Sequence, residues 1–127
     1  MPTILLVDCD PLQALLRKSI LEQKFPDVRR VSDAAEALCL IEQPNFASNL
    51  ALIVTGRQRP GISGPDFVAE IVRRLPELPV LVLGSGAETA SDYPHYAGIC
   101  FRSRSIASEE LLALTGMMIA RGHLDAA

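Results

Sequence analysis

Leu50-Ala51-Leu52-Ile53-Val54-Thr55-Gly56-Arg57-Gln58-Arg59-Pro60-Gly61-Ile62-Ser63-Gly64 reads as an apolar strand that runs into a Pro-Gly-x-Ser-Gly loop. Five consecutive apolar residues bounded by glycine and proline are of strand length. Gly56 stands where the strand gives way to the loop, so this point of the backbone presents no carboxylate, hydroxyl or thiol.

Working outward, four further runs have the same character. Thr3-Ile4-Leu5-Leu6-Val7 is continuous and apolar, as expected of a strand covered on both faces in a parallel sheet. Val28 to Val31 is a short second strand, Pro79-Val80-Leu81-Val82-Leu83 a fourth, and Ile99-Cys100-Phe101 a fifth. The stretches between them have helical spacing. Asp10 is placed to cap a helix with Pro11 at its first position, and Leu12, Leu15, Leu16 and Ile20 are expected to form its buried face. Asp33-Ala34-Ala35-Glu36 resembles a capping box and opens a helix through Glu42. Asp66 is expected to cap a helix with Phe67, Val68, Ile71, Val72 and Leu75 inward, ended by Pro76. Ser108-Glu109-Glu110 opens a last helix that turns Leu111, Leu114 and Met118 inward. Between the last two strands Gly84-Ser85-Gly86 and Asp92-Tyr93-Pro94-His95-Tyr96 leave room only for one turn or a loop. The pattern is (βα)5, an α/β doubly wound five-stranded parallel sheet with a short or irregular fourth helix.

With 127 residues, 49% hydrophobic and 21% charged, the sequence has the composition of one ordinary globular domain spanning residues 1–127. A net charge of -3 gives no basic footprint for nucleic acid, and Arg29-Arg30 and Arg73-Arg74 read as solvated ends of elements. No apolar run reaches bilayer length and no leader precedes the first strand, so a cytoplasmic protein without membrane contact is expected. Cys9, Cys39 and Cys100 lie far apart without zinc or redox spacing, which predicts reduced thiols, the latter two as small buried hydrophobes.

In parallel sheets of this kind ligands gather beyond the carboxyl ends of the strands. Those ends carry Asp8-Cys9-Asp10, Gly56, Gly84-Ser85 and Arg104. With Val7-Asp8-Cys9-Asp10-Pro11, Pro60-Gly61-Ile62-Ser63-Gly64, Ala97-Gly98 and Phe101-Arg102-Ser103-Arg104, this ordered set resembles the response-regulator receiver (CheY-like) domains of two-component systems over about residues 3–120. The resemblance implies a flavodoxin-like receiver fold without an output domain, working in bacterial-type phosphorelay signal transduction. It also implies that four functional positions have changed. The magnesium-binding carboxylate corresponds to Cys9, the phosphoryl acceptor to Gly56, the hydroxyl residue to Gly84 and the lysine to Arg104. The chain is thus expected to be a degenerate pseudo-receiver.

Magnesium requires oxygen ligands, and Asp8 alone remains of the matched acidic cluster, so Mg2+ binding is expected to be weak or absent, with no other cofactor. No catalytic residue and no metal ligand is assigned, and the chain is not expected to be an enzyme. Asp10 is better suited to capping than to accepting phosphate, and Thr55 should point into the helix layer. Arg104, helped by Arg57 or Arg59, is expected to fill the vacated pocket by pairing with Asp8 or Asp10. Phe101 matches the family's aromatic switch position but lacks a hydroxyl partner at Gly84, which predicts a static core or surface-anchor ring. Cys9, at a strand end near arginines, is a candidate redox thiol, whereas His95 and His123 read as ordinary loop and tail residues.

The expected function is a non-phosphorylatable signalling module acting by protein–protein interaction, with a histidine kinase or another response regulator as partner, or a second copy in a homodimer. The resemblance points to the last helix and its neighbouring strand as the interface, with Phe101, Arg102, Ser108, Leu112 and Met117 as candidates. Two alternatives stand beside it. One is a phosphorylation-dependent regulator with an unusual acceptor. The other is a small-anion or nucleotide sensor built around Gly56, Gly84, Ser85, Gly86 and Arg104.

Overall fold

The computed structural model describes residues 2–57, 61–84, 89–94 and 96–126, and for residues 123–126 the backbone alone. Five parallel strands, β1 (Thr3–Val7), β2 (Val28–Val31), β3 (Leu50–Thr55), β4 (Val80–Gly84) and β5 (Ile99–Ser103), form one sheet in the order β2-β1-β3-β4-β5. The helices are α1 (Pro11–Glu22), α2 (Ala34–Ile41), α3 (Pro44–Asn49), α4 (Gly64–Arg74) and α5 (Ser108–Ala126), and Ala90–Asp92 is a single 3-10 turn.

Composition follows position in the sheet. The central β1 and β4 are buried at every residue, whereas the edge strands β2 and β5 carry exposed arginines. This is why continuous apolar runs marked the centre and mixed runs the edges. Alternation then sorts the side chains to two faces. Ile4, Leu6, Leu52, Val54, Leu81 and Leu83 pack against α1 and α5, and Leu5, Val7, Ile53, Val80 and Val82 against α2 and α4. Each fully buried aliphatic or aromatic side chain of this kind contributes about 1.5–3 kcal/mol.

Three expectations about the helices are corrected. Helix α3 was not foreseen. Pro44 occupies its first turn without a side-chain cap, and its six residues are too few to show a helical period. The cap of α4 is Ser63, whose Oγ accepts the Asp66 amide at 3.1 Å, so Asp66 lies in the first turn rather than at the cap. Pro65 accounts for the shift, since proline belongs in the first turn and pushes the boundary upstream.

The third correction bears on function. Leu12, Leu15 and Leu16 are 78%, 68% and 57% exposed, and the inward face of α1 is Ala14, Arg17 and Leu21. Only Ile20 of the expected stripe packs against the core, and it does so in part. The helix is rotated so that a charged residue faces the sheet, and the reason lies at the end of β1.

Candidate functional site

Asp8 follows β1 directly, and its side chain is 1% exposed. Its Oδ2 accepts a hydrogen bond from Arg17 Nη1 at 2.8 Å, and its Oδ1 accepts from the Asp10 amide at 2.9 Å. Its main-chain carbonyl accepts from Arg30 Nη2 at 2.8 Å. Arg17, 4% exposed, comes from the second turn of α1 and uses Nη2 to donate to the Arg104 carbonyl at 3.0 Å. The pair therefore ties β1 and α1 to the connection between β5 and α5. Burial is the largest influence on the Arg17 guanidinium and pushes its pKa below the ordinary value; Asp8 opposes this and Arg104 adds to it. An ion pair so deep holds together through its hydrogen bonds, because desolvation works against both charges.

Gly56 faces this pair across the β1/β3 junction. Its amide donates to the Val7 carbonyl at 2.8 Å, and the Cys9 amide donates to the Arg57 carbonyl at 2.9 Å, which knits the two strand ends together. A Cβ built on Gly56 would lie 2.4 Å from Asp8 Oδ2 and 2.8 Å from Arg17 Nη1. No side chain fits there without displacing the ion pair.

The pocket-filling guanidinium is thus Arg17, not Arg104 or Arg57. Arg104 contributes its carbonyl, Arg57 is exposed and contributes its carbonyl to Cys9, and Arg59 lies outside the described residues. A signal for Arg17 was present: Ala14, Arg17 and Leu21 share a helix face as well as Leu12, Leu15 and Leu16 do. By hydropathy alone an arginine points its helix face to solvent, and no sequence rule pairs it with an aspartate nine residues upstream.

Asp10 performs the capping role expected of it, accepting the Leu12 and Gln13 amides at 3.1 and 3.3 Å. Thr55 is buried. Cys9 and Cys100 are half-buried, while Cys39, expected inside, is exposed on α2. Ser85, Gly86 and His95 lie outside the described residues, as does the side chain of His123.

The donor set does not fit magnesium. Both Asp8 carboxylate oxygens are engaged by nitrogen donors, position 9 offers a thiol and position 56 offers nothing. Among the described residues no group of three His, Cys, Asp or Glu side chains converges.

At the end of β4, Gly84 meets the ring of Phe101. A Cβ on Gly84 would lie 2.2 Å from Phe101 Cζ and 2.5 Å from Cε2. The ring packs on the α2/α4 side of the core and against Tyr93, with centroids 5.6 Å apart and planes inclined by 49°. Phe101 is therefore turned in and half-buried. Of the other interface candidates, Arg102, Ser108 and Met117 are exposed and Leu112 is half-buried. Arg102 donates to the Phe101 carbonyl at 2.9 Å.

A groove of about 860 Å³ opens at the other end of the sheet, between α3, the α4–β4 connection and the end of α5. Arg74, a charged residue on its wall, is already paired with Glu42 and Glu70. Among the described residues no helix is long and apolar enough to cross a membrane.

No protein-family model and no curated protein matches the chain. Solved structures do. A CheY-like response regulator receiver domain protein from Methanospirillum hungatei is 19% identical with a TM-score of 0.85, covering 98% of each chain. A response regulator receiver domain protein from Clostridium thermocellum is 20% identical with a TM-score of 0.83, again over 98% of each chain. The signal receiver domain of an HD domain-containing protein from Pseudomonas fluorescens is 23% identical with a TM-score of 0.81, covering 96% of this chain and 97% of its own. Identities this low speak for the fold. With its all-parallel sheet in the order β2-β1-β3-β4-β5 and helices on both faces, this chain has the flavodoxin-like fold of response-regulator receiver domains.

Proposed function

We propose that this chain is a non-phosphorylatable, receiver-like signalling module that acts by protein–protein interaction in or beside a two-component phosphorelay. One observation carries the reading: the Asp8–Arg17 ion pair lies where the side chain of residue 56 would have to be. Phosphoryl transfer needs an in-line nucleophile and positioned positive charge, normally with a metal ion. Gly56 supplies no nucleophile, and Arg17, the cation beside it, is neutralised by Asp8. Asp10 Oδ1 is committed to capping α1. The module works without chemistry of its own and without Mg2+.

What remains for such a module is binding. The partner class is a histidine kinase or another response regulator, met through a helix of that partner. Leu12, Leu15 and Leu16 are the best-exposed large apolar side chains of the described residues, on successive turns of α1, and Arg57 and Arg104 lie at the connections beside that helix's N-terminus. A helix with an apolar stripe and acidic flanks suits that surface.

Incubation with acetyl phosphate and Mg2+, followed by intact mass measurement, tests the central claim. The mass is expected to stay unchanged. A stable phosphoryl adduct would overturn the reading in favour of a regulator with an unusual acceptor.

A further inference from the structure

Gly84 and Phe101 sit on neighbouring strands, with Val82 opposite Phe101 and Gly84 opposite Ser103 in the β4/β5 register. Val80, Val82 and Phe101 pack on the same side of the sheet, and a side chain at position 84 would project on that side too, just beyond Val82. The Phe101 ring leans along the sheet into that place. Its Cζ, Cε2 and Cε1 would be 2.2, 2.5 and 3.3 Å from a Cβ at position 84. Three ring atoms thus cover the bare Cα of the glycine. On its other side the ring meets Tyr93, a buried residue that directly follows the 3-10 turn Ala90–Asp92.

We propose that Gly84 and Phe101 form a fixed lock, in which the ring occupies the notch left by the glycine and holds the end of β4, β5 and Tyr93 in one arrangement. A ring free to move would need a second resting place, and turning it outward would give up apolar burial against the core and the aromatic contact with Tyr93. No side chain at position 84 competes for the notch. The ring therefore has one rotamer, and the surface above β5 has one shape whatever the state of Asp8 and Arg17.

NMR on the full chain tests it. Strong NOEs are expected between the Phe101 ring and the Gly84 Hα protons, and between the rings of Phe101 and Tyr93, without microsecond-to-millisecond exchange at Phe101. In Gly84→Thr the Gly84-site NOE to the ring should be lost and the Tyr93 ring resonances should shift. Absence of the wild-type NOE, exchange broadening confined to Phe101, or an unmoved ring in Gly84→Thr would overturn the lock. Should Gly84→Thr fold poorly, thermal melting of Phe101→Ala and of the Gly84→Thr/Phe101→Ala pair decides. The lock requires that Gly84→Thr lower Tm by several degrees in the wild-type background and by less than half as much once the ring is gone. Equal losses in both backgrounds would show that residue 84 and the ring are uncoupled.

Discussion

Arg17 occupies the space into which a side chain at Gly56 would project: its Nη1 lies 2.8 Å from an ideal Cβ there and 2.8 Å from Asp8 Oδ2. A residue from the second turn of α1 and a glycine at the end of β3 are thus complementary, one providing bulk and charge where the other provides none. Position 56 cannot take a carboxylate while Asp8 and Arg17 stay where they are.

Gly56→Asp is accordingly expected to lower stability by about 1–3 kcal/mol in urea denaturation, the usual range for forcing extra atoms into a packed interior. Combined with Arg17→Ala it should cost more than the two changes summed, because the crowding against Asp8 Oδ2 remains and two carboxylates then face each other without a cation. Simple additivity would show that the glycine and the arginine are independent.

Arg17→Ala alone leaves the Asp8 carboxylate buried without its counter-charge, and a loss of about 3–5 kcal/mol is expected. Replacing both partners, as Asp8→Asn with Arg17→Met, should recover most of it, since no unpaired charge then remains and Asn still offers an oxygen to the Asp10 amide. Equilibrium unfolding of the single and paired variants makes the comparison. A pair as unstable as Arg17→Ala would contradict the account.

Leu15→Gln together with Leu16→Gln should change stability by less than about 1 kcal/mol, because each exposed position carries about ±0.5 kcal/mol. Leu21→Ala, on the buried side of the same helix, should cost about 2–5 kcal/mol. The double glutamine variant should also lose binding to a kinase or regulator partner in a pull-down while keeping the wild-type circular dichroism spectrum. Retained binding would move the interface elsewhere.

Glu70 is held down to about 2 by hydrogen bonds from Arg73 and Arg74, the same arginine that reaches Glu42 on the rim of α2. A carboxylate with a lowered folded-state pKa stabilises fully above its ordinary value of 4.5 and loses that contribution as the pH falls toward 2. Urea midpoints should therefore drop between pH 5 and pH 3 in the wild type and drop less in Glu70→Gln. The effect will be small, because the group is on the surface and screened by solvent.

Much of this protein could be read without coordinates. The unbroken apolar runs at β1, β3 and β4, the Asp10-Pro11 cap and the glycines at positions 56 and 84 are local facts, and local facts are what period, capping and the absence of a side chain report. They suffice for a five-stranded parallel sheet and for the absence of a side chain at the end of β3. What tertiary structure alone decided was which face of α1 turns inward. Two helical stripes competed, and hydropathy favoured the leucines, but the end of β1 buries Asp8, and a buried carboxylate demands a cation more strongly than a solvent-facing helix side demands polarity. That demand is set by residues distant in the chain, so it rotated Arg17 in and left Leu12, Leu15 and Leu16 outside. The seating of Phe101 on Gly84 was hidden for the same reason: a notch exists only once two strands lie side by side.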